Sequence, residues 1–240
     1  MNLSNKNILI IGGSSGIGLA LAELLSHSNK IYIASRTSEN IAGLDVIHIP
    51  FDATTETLDN SLLPDKLDGF VYCPGSINLR PFKGLSTEAF EKDFQINVTG
   101  AINSLKNVLG QLSASGNASV VFFSTVAVQT GMPFHSSVAA SKGAIEGLTR
   151  SLAAEFAPKI MVNAISPSIV NTPLASKFLN NDTKIEKAND RHPLGRIGNA
   201  REIAQATSFL LGEESSWMTG RVLQLDGGIG NLKTYLYWKN

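Results

Sequence analysis

One cysteine, Cys73, stands in 240 residues. A lone thiol forms no internal disulfide and excludes a multi-cysteine metal site. Its expected place is a small buried core position. Net charge is also missing: 20 basic residues balance 20 acidic ones, with no run of lysine or arginine. Phosphate neutralisation needs clustered cations, so nucleic acid is excluded as the main partner. No apolar stretch is long enough to span a membrane. The polar residues Met1 to Asn7 run into a short apolar segment without the layout of a signal peptide. The expectation is a soluble, cytoplasmic protein with no membrane partner.

What is present is a regular alternation. Apolar, β-type runs occur at 7–11, 30–34, 45–49, 69–73, 118–124, 160–165 and 222–225. Several are continuously apolar, as strands covered on both faces must be. Amphipathic helical stretches at 17–26, 87–112, 136–156 and 201–211 lie between them. Strand–helix alternation implies right-handed crossovers and an α/β, Rossmann-type doubly wound parallel sheet of about seven strands, with helices on both faces. The length suits one domain, 1–240. The stretch 172–198 breaks the pattern, being polar and irregular. A long insertion after a late strand predicts a substrate lid.

The first strand runs into Gly12, Gly13, Ser14, Ser15, Gly16, Ile17 and Gly18, and then into a helical pattern. Glycine permits the tight turn and the close approach of backbone to a pyrophosphate. The helix N-terminus supplies free N–H groups and the positive end of its dipole. The position between strand and helix is the context a dinucleotide loop requires. An NAD site often has an acidic ribose reader about 20 residues further on. Here the second strand ends in Ser35, Arg36 and Thr37, with no carboxylate. A guanidinium and two hydroxyls suit a 2′-phosphate, which predicts NADP(H) in preference to NAD(H). Asp52, after the third strand, suits either the adenine amino group or the cap of the following turn.

Together these elements resemble the short-chain dehydrogenase/reductase family almost end to end. The glycine loop at 12–18 looks like the family's cofactor loop, and Asp52 matches its adenine-contacting acid. Tyr72, Cys73, Pro74 and Gly75 lie where the family has Asn-Asn-Ala-Gly, and only the glycine is kept. Asn97 matches the helix asparagine, Lys142 the active-site lysine, and Ser124 and Thr125 the end of the fifth strand. The segment holding Pro167, Ile169 and Thr172 looks like the border of the nicotinamide. Asp226, Gly227 and Gly228 resemble the C-terminal signature, and Ser168 stands where the family often has glycine. The resemblance implies an oxidoreductase acting on a small molecule, with Asn97, Thr125 and Lys142 in the catalytic centre. It also implies a homodimer or homotetramer.

The departure concerns the proton. The family's tyrosine lies four residues before the lysine, where this chain has Val138, and the family's serine is Thr125. A threonine hydroxyl can polarise a substrate oxygen; an isopropyl group cannot move a proton. His135 lies seven residues before Lys142, and on a continuous helix His135, Val138 and Lys142 share one face. Enoyl reductases of this family carry their tyrosine at that displaced spacing, and imidazole is an acid near neutral pH. Ser136 and Ser137 are expected to cap the helix. Tyr72 is expected to pack near the adenine, Trp217 and Met218 to be core or interface, and the aromatic tail 235–238 to meet a partner. Two functions follow. One is an NADP(H)-dependent oxidoreductase for a small carbonyl, alcohol or conjugated C=C substrate, with an atypical proton donor. The other is a catalytically silent NADP(H)-binding sensor or structural oligomer partner.

Overall fold

The apolar runs become the central sheet of the computed structural model, which describes residues 3–233. The strands are β1 (Asn7–Ile11), β2 (Lys30–Ser35), β3 (Val46–Pro50), β4 (Gly69–Tyr72), β5 (Ala118–Phe123), β6 (Ile160–Pro167), β7 (Val170–Asn171), β8 (Gly198–Asn199) and β9 (Val222–Leu225). The helices are α1 (Gly16–Leu25), α2 (Thr87–Phe94), α3 (Gly100–Ser115), α4 (Ala127–Thr130), α5 (Ser136–Phe156), α6 (Asp182–Asp190) and α7 (Ala200–Leu211). The seven expected strands form one sheet in the order β3-β2-β1-β4-β5-β6-β9, and every pairing is parallel.

Side-chain alternation along each strand feeds two cores. In β1, Leu9 and Ile11 face the layer of α3 and α5, whereas Ile8 and Ile10 face that of α1 and α7. All four are almost fully buried, and each contributes about 1.5–3 kcal/mol by leaving water. Because both faces are covered, β1 reads as an unbroken apolar run rather than an alternating one. The strand order reverses at β1, between β2 and β4. The crevice beyond the carboxyl ends of β1 and β4 is where such sheets bind ligands.

Four local expectations change. The helix expected over 87–112 is interrupted by a π-helical turn, Gln95–Thr99, between α2 and α3. Tight packing follows the turn: a Cβ at Gly100 would strike the Tyr72 hydroxyl and lie 2.8 Å from the Ala53 carbonyl oxygen. Ser136 and Ser137 do not cap α5. The N-cap is His135, which has no capping side-chain bond, and the two hydroxyls lie buried in the first turn without a partner. The segment 172–198 is ordered rather than irregular. It holds a 3-10 turn (Pro173–Phe178) and α6, and β7 pairs with β8 to close its base. Trp217 is not core; it is fully exposed, while Met218 packs partly buried against the α1–α7 layer. The aromatic residues 235–238 lie outside the described residues.

Candidate active site

The glycine loop is shaped by steric necessity. Gly12 and Gly16 adopt φ of 75° and 55°, in the left-handed region that favours glycine. A Cβ at Gly18 would sit 2.5 Å from the Gly12 carbonyl oxygen, so α1 could not pack on the turn with any larger residue. Ser15 is the N-cap of α1 and makes no side-chain cap, and no acidic residue occupies the first turn. The helix therefore presents its first N–H groups without an internal side-chain acceptor, as an anion site requires.

A cleft of about 380 Å³ opens above this turn, lined by Gly12, Ser14, Ser15, Gly16, Ile17, Gly18, Ser35, Arg36, Asp52, Gly75 and Thr172. Five separate stretches of the sequence thus converge on one space. Thr172, at the start of the inserted segment, reaches back to lie 3.5 Å from the position of a Cβ on Gly16. Cys73 also lines the cleft and is only partly buried, a correction to its expected core position. Its burial environment pushes the thiol up to about 12, so it carries no thiolate reactivity near neutral pH.

At the corner beyond β2, side-chain hydrogen bonds distinguish the candidate residues. Ser35 is buried; its hydroxyl donates 2.8 Å to the Thr37 carbonyl and contacts His48 Nε2 at 3.1 Å. Its hydroxyl is thus engaged within the end of β2, while the residue still lines the cleft. The exposed Arg36 remains, with Thr37 and Ser14, whose hydroxyls are hydrogen-bonded to each other at 3.2 Å. Asp52 accepts from the Thr54 hydroxyl at 2.6 Å and from its amide at 2.9 Å, both through Oδ1. Those bonds hold its carboxyl below the usual range, and the Arg36 charge adds to them. Asp52 therefore caps its turn through Oδ1 and also lines the cleft.

Beyond Gly75 lies a buried polar cell that the sequence marks only in part. A Cβ on Gly75 would be 3.2 Å from Asn97 Oδ1 and 3.6 Å from Lys142 Nζ, so the loop, the π-turn and α5 meet at this point. Asn97 donates through Nδ2 to the Asp93 carbonyl at 2.8 Å and to the Ser76 hydroxyl at 2.9 Å. Its Oδ1 is buried without a partner. Lys142 is only 9% exposed, and no described residue accepts a hydrogen bond from its ammonium. Burial pulls it down to about 8, against partial compensation from Cys73 and Asp93. Ser76 and Asp93 are the members that sequence reasoning missed. An acid one helical turn before Asn97 was the available signal.

The remaining residues singled out from the sequence lie outside the lining of that cleft. Thr125 follows β5 and is partly exposed; the Ala127 amide points at its hydroxyl at 3.4 Å. Val138 is buried at 5% exposure on the α5 face. His135 sits just outside the helix; its carbonyl accepts from Ala139 at 2.7 Å, and its Nδ1 donates to the Pro133 carbonyl at 2.7 Å. Nε2 is thus the ring nitrogen left for other work. The neighbouring Phe134 carbonyl accepts from the Arg80 amide at 3.1 Å, which joins this loop to the 76–80 segment. Tyr72 is excluded as an acid: its phenol is buried, donates 2.7 Å to the Ile96 carbonyl, and is pushed up by desolvation. Pro167 ends β6 and Ile169 lies just beyond it, next to the base of the inserted segment, where the Ile169 carbonyl accepts from Gly198 at 3.2 Å. Ser168 has a definite task. Its hydroxyl meets Nε2 of the buried His192 at 2.9 Å and so ties the end of α6 to the end of β6. Gly227 backs that ring, 3.2 Å from His192 Cδ2 at its Cβ position.

These features define a nucleotide-binding oxidoreductase scaffold, and comparison with known proteins agrees. Residues 12–230 match the family model described as enoyl-(acyl carrier protein) reductase. The chain belongs to the short-chain dehydrogenase/reductase family, whose members are oxidoreductases that use nicotinamide cofactors. It is 33% identical to the 2,5-dichloro-2,5-cyclohexadiene-1,4-diol dehydrogenase of Sphingobium indicum, over 95% of this chain and 98% of that one. Among solved structures it resembles the ligand-free aldohexose dehydrogenase of Thermoplasma acidophilum, with a TM-score of 0.88, 26% identity and 98% coverage of both chains. It also resembles ElxO with NADP bound, with a TM-score of 0.85, 27% identity, and coverage of 94% of this chain and 98% of that one. Among the described residues, no helix is long and apolar enough to cross a membrane, and no cluster of potential metal ligands occurs.

Proposed function

We propose that this protein is an NADP(H)-dependent oxidoreductase for a small carbonyl, alcohol or conjugated C=C substrate, in which His135 takes the place of the missing phenol. The nicotinamide, when bound, supplies or accepts the hydride. The chain's own residues do the rest. The first turn of α1 and Gly12–Gly18 receive the pyrophosphate, Arg36 and Thr37 receive the 2′-phosphate, and Asp52 Oδ2 receives the adenine edge. Lys142 donates to the nicotinamide ribose, and Gly75 leaves the room that this contact needs. Pro167, Ile169 and Thr172 border the nicotinamide, and the segment 172–198 closes over the substrate as a lid. The working unit is a homodimer or homotetramer in the cytoplasm.

Thr125 polarises the substrate oxygen. His135 delivers the proton through Nε2, because Nδ1 is committed to Pro133 and fixes the ring. The single observation that carries the reading is the Lys142 ammonium, which has no acceptor among the described residues and lies 3.6 Å from the position of a Cβ on Gly75, a residue that lines the cleft. A conjugated double bond suits this site better than an isolated ketone. Its reduction depends on stabilising an enolate, which Thr125 and Lys142 can do, and relies less on a well-matched acid.

The test begins with calorimetric titration of NADPH and NADH, with NADPH expected to bind at least tenfold more tightly. A turnover screen with enoyl thioesters and small diketones follows. His135→Ala is expected to lower kcat by about 10²–10⁴-fold while leaving NADPH affinity intact. Full activity in that variant refutes His135 as donor. Val138, buried where the phenol would stand, favours a second reading: a silent NADP(H)-binding sensor or structural partner. Tight NADPH binding with no turnover on any substrate supports that reading.

A further inference from the structure

The inserted segment 172–198 leaves the sheet after β6 and returns beside its own starting point, and a buried histidine sits at that junction. His192 is 4% exposed. Its Nδ1 donates to the Ala188 carbonyl at 2.7 Å, one turn back on α6. A carbonyl only accepts, so that bond places a proton on Nδ1, and in the neutral ring Nε2 is then an acceptor. Nε2 lies 2.9 Å from the Ser168 hydroxyl, which therefore donates to it. Both ring nitrogens are thus used, one toward the inserted segment and one toward the exit of β6. The backbone on either side is also committed. The His192 amide donates to the Asn189 carbonyl at 2.9 Å, and the Leu194 amide to the Gly227 carbonyl at 3.2 Å. A Cβ on Gly227 would lie 3.2 Å from His192 Cδ2, so glycine at that position leaves the ring its room.

Ser168 stands four residues before Thr172, which lines the nucleotide cleft together with Pro173 and Leu174. Between them β7 pairs with β8, and the Gly198 amide donates to the Ile169 carbonyl at 3.2 Å. The base of the insertion is therefore closed by a two-residue ladder and by the Ser168–His192 side-chain bond. A third tie is of a different kind. Lys177 Nζ donates to the Ile77 carbonyl at 2.8 Å, but the lysine is exposed, where water competes for the same bond. Breaking the His192 contact instead leaves a buried ring nitrogen unsatisfied, which costs its full desolvation. A side chain without a hydroxyl at 168 would leave it so.

We propose that Ser168 and His192 are positioning residues: their bond seats the return of the inserted segment on the exit of β6, and so sets the cleft border that Thr172, Pro173 and Leu174 form against a bound nucleotide. This assignment rests on the reading of 172–198 as a lid over the cofactor cleft. The bond itself does not. With the base fixed, the turn and helix of the insertion move together, and the exposed Lys177 contact is the one that water can replace.

The test reads the ligand-free protein first. Histidine labelled with ¹⁵N reports by NMR, at pH 8 and without any variant, which ring nitrogen of His192 carries the proton; Nδ1 protonated and Nε2 bare is the expected result. Hydrogen exchange read by mass spectrometry then follows peptides from 182–191. Ser168→Ala removes the hydroxyl, and His192→Asn removes Nε2 while keeping a donor near the Nδ1 position. Each should speed exchange in 182–191 by about tenfold, and the double variant by no more than the larger single effect. Ser168→Thr keeps a hydroxyl and should stay within about twofold of the parent. Peptides from β4 and β5 should exchange at the parental rate throughout. Stopped-flow displacement should show NADPH leaving about tenfold faster from Ser168→Ala, with the parental rate restored in Ser168→Thr. A His192 proton on Nε2 alone, exchange in 182–191 unmoved by Ser168→Ala, or exchange raised equally in β4 and β5 overturns the assignment. Faster exchange with NADPH dissociation unchanged overturns the positioning role. Failure of the wild-type protein to bind NADPH would remove the lid reading and the positioning role with it, a result told apart by the ligand-free exchange data, which decide whether Ser168 holds His192.

Discussion

Replacing Lys142 by methionine should make the ligand-free protein more stable and less able to bind its cofactor. Methionine keeps the length and most of the apolar stem but has no charge to desolvate. The magnitude follows from the titration. Lys142 falls from an ordinary 10.5 to about 8 in the folded chain. Below pH 8 both folded and unfolded chains carry the proton, so the full cost of burying the charge is present. Between pH 8 and 10.5 the unfolded chain binds more protons than the folded one, so stability rises with pH across that window and the cost fades. At 1.36 kcal/mol per pH unit, the cost below pH 8 is at most about 3 kcal/mol. That figure already contains the attraction of Asp93 and Cys73. Urea denaturation at pH 6.5 without cofactor should therefore show Lys142→Met to be about 1–3 kcal/mol more stable than the parent. At pH 10 the two should nearly coincide. Calorimetry on the same samples should show NADPH binding weakened by at least tenfold. A variant that is less stable at pH 6.5, or whose gain does not change with pH, would refute the reasoning.

Two further substitutions probe the walls of the site. Gly100→Ala pushes a methyl group into the Tyr72 hydroxyl and the Ala53 carbonyl, and should destabilise the fold by about 1–3 kcal/mol in thermal or urea unfolding, with loss of the Tyr72–Ile96 bond. Val138→Tyr restores a phenol one turn before Lys142, and should create or raise NADPH-dependent reduction of small ketones by about 10²–10⁴-fold in a spectrophotometric assay. A well-folded variant that binds NADPH and remains inert would count against the placement of the substrate between Thr125 and α5.

The seven strands and the alternating architecture were legible because the sheet is covered on both faces and each strand reads as an unbroken apolar run. Strand ends moved by a residue or two, the largest change being the extension of 160–165 to Pro167. The glycine loop was legible because Gly12, Gly16 and Gly18 are each required by φ or by contact with backbone. What the sequence concealed depends on three-dimensional closure. The break between α2 and α3 is marked by no proline in 87–112; within it the Ile96 carbonyl accepts from Tyr72, which lies on a distant strand. The Ser35 hydroxyl donates to the Thr37 carbonyl, two residues along. Ser168 looked like an anomaly, but its hydroxyl anchors His192. Asp93 and Ser76 lie 17 residues apart, and only the folded chain puts their oxygens at 2.6 Å.

An ammonium buried beside a cleft is an expense that packing does not recover, and its usual justification is the phenol next to it. Here the neighbour is Val138, so no phenol exists for the charge to tune. If tuning were the only task of Lys142, the site would hold a desolvated cation with nothing to act on, and an apolar residue would serve the fold better. The structure instead places at the same Gly75 corner a fixed acceptor that other residues leave unsatisfied: Asn97 Oδ1, on a side chain held by Ser76 and the Asp93 backbone carbonyl. It also keeps Gly75 open beside it, where a side chain would fill the approach. Such an arrangement holds a donor in a set orientation toward something outside the protein. The sugar of a dinucleotide, lying between the glycine loop and Gly75, is the group of that kind the cleft can receive. Binding chemistry and proton chemistry are therefore separable in this chain. The first is built from residues already locked in place, and the second, in the reading proposed above, runs through Nε2 of His135, the ring nitrogen that Pro133 leaves unengaged.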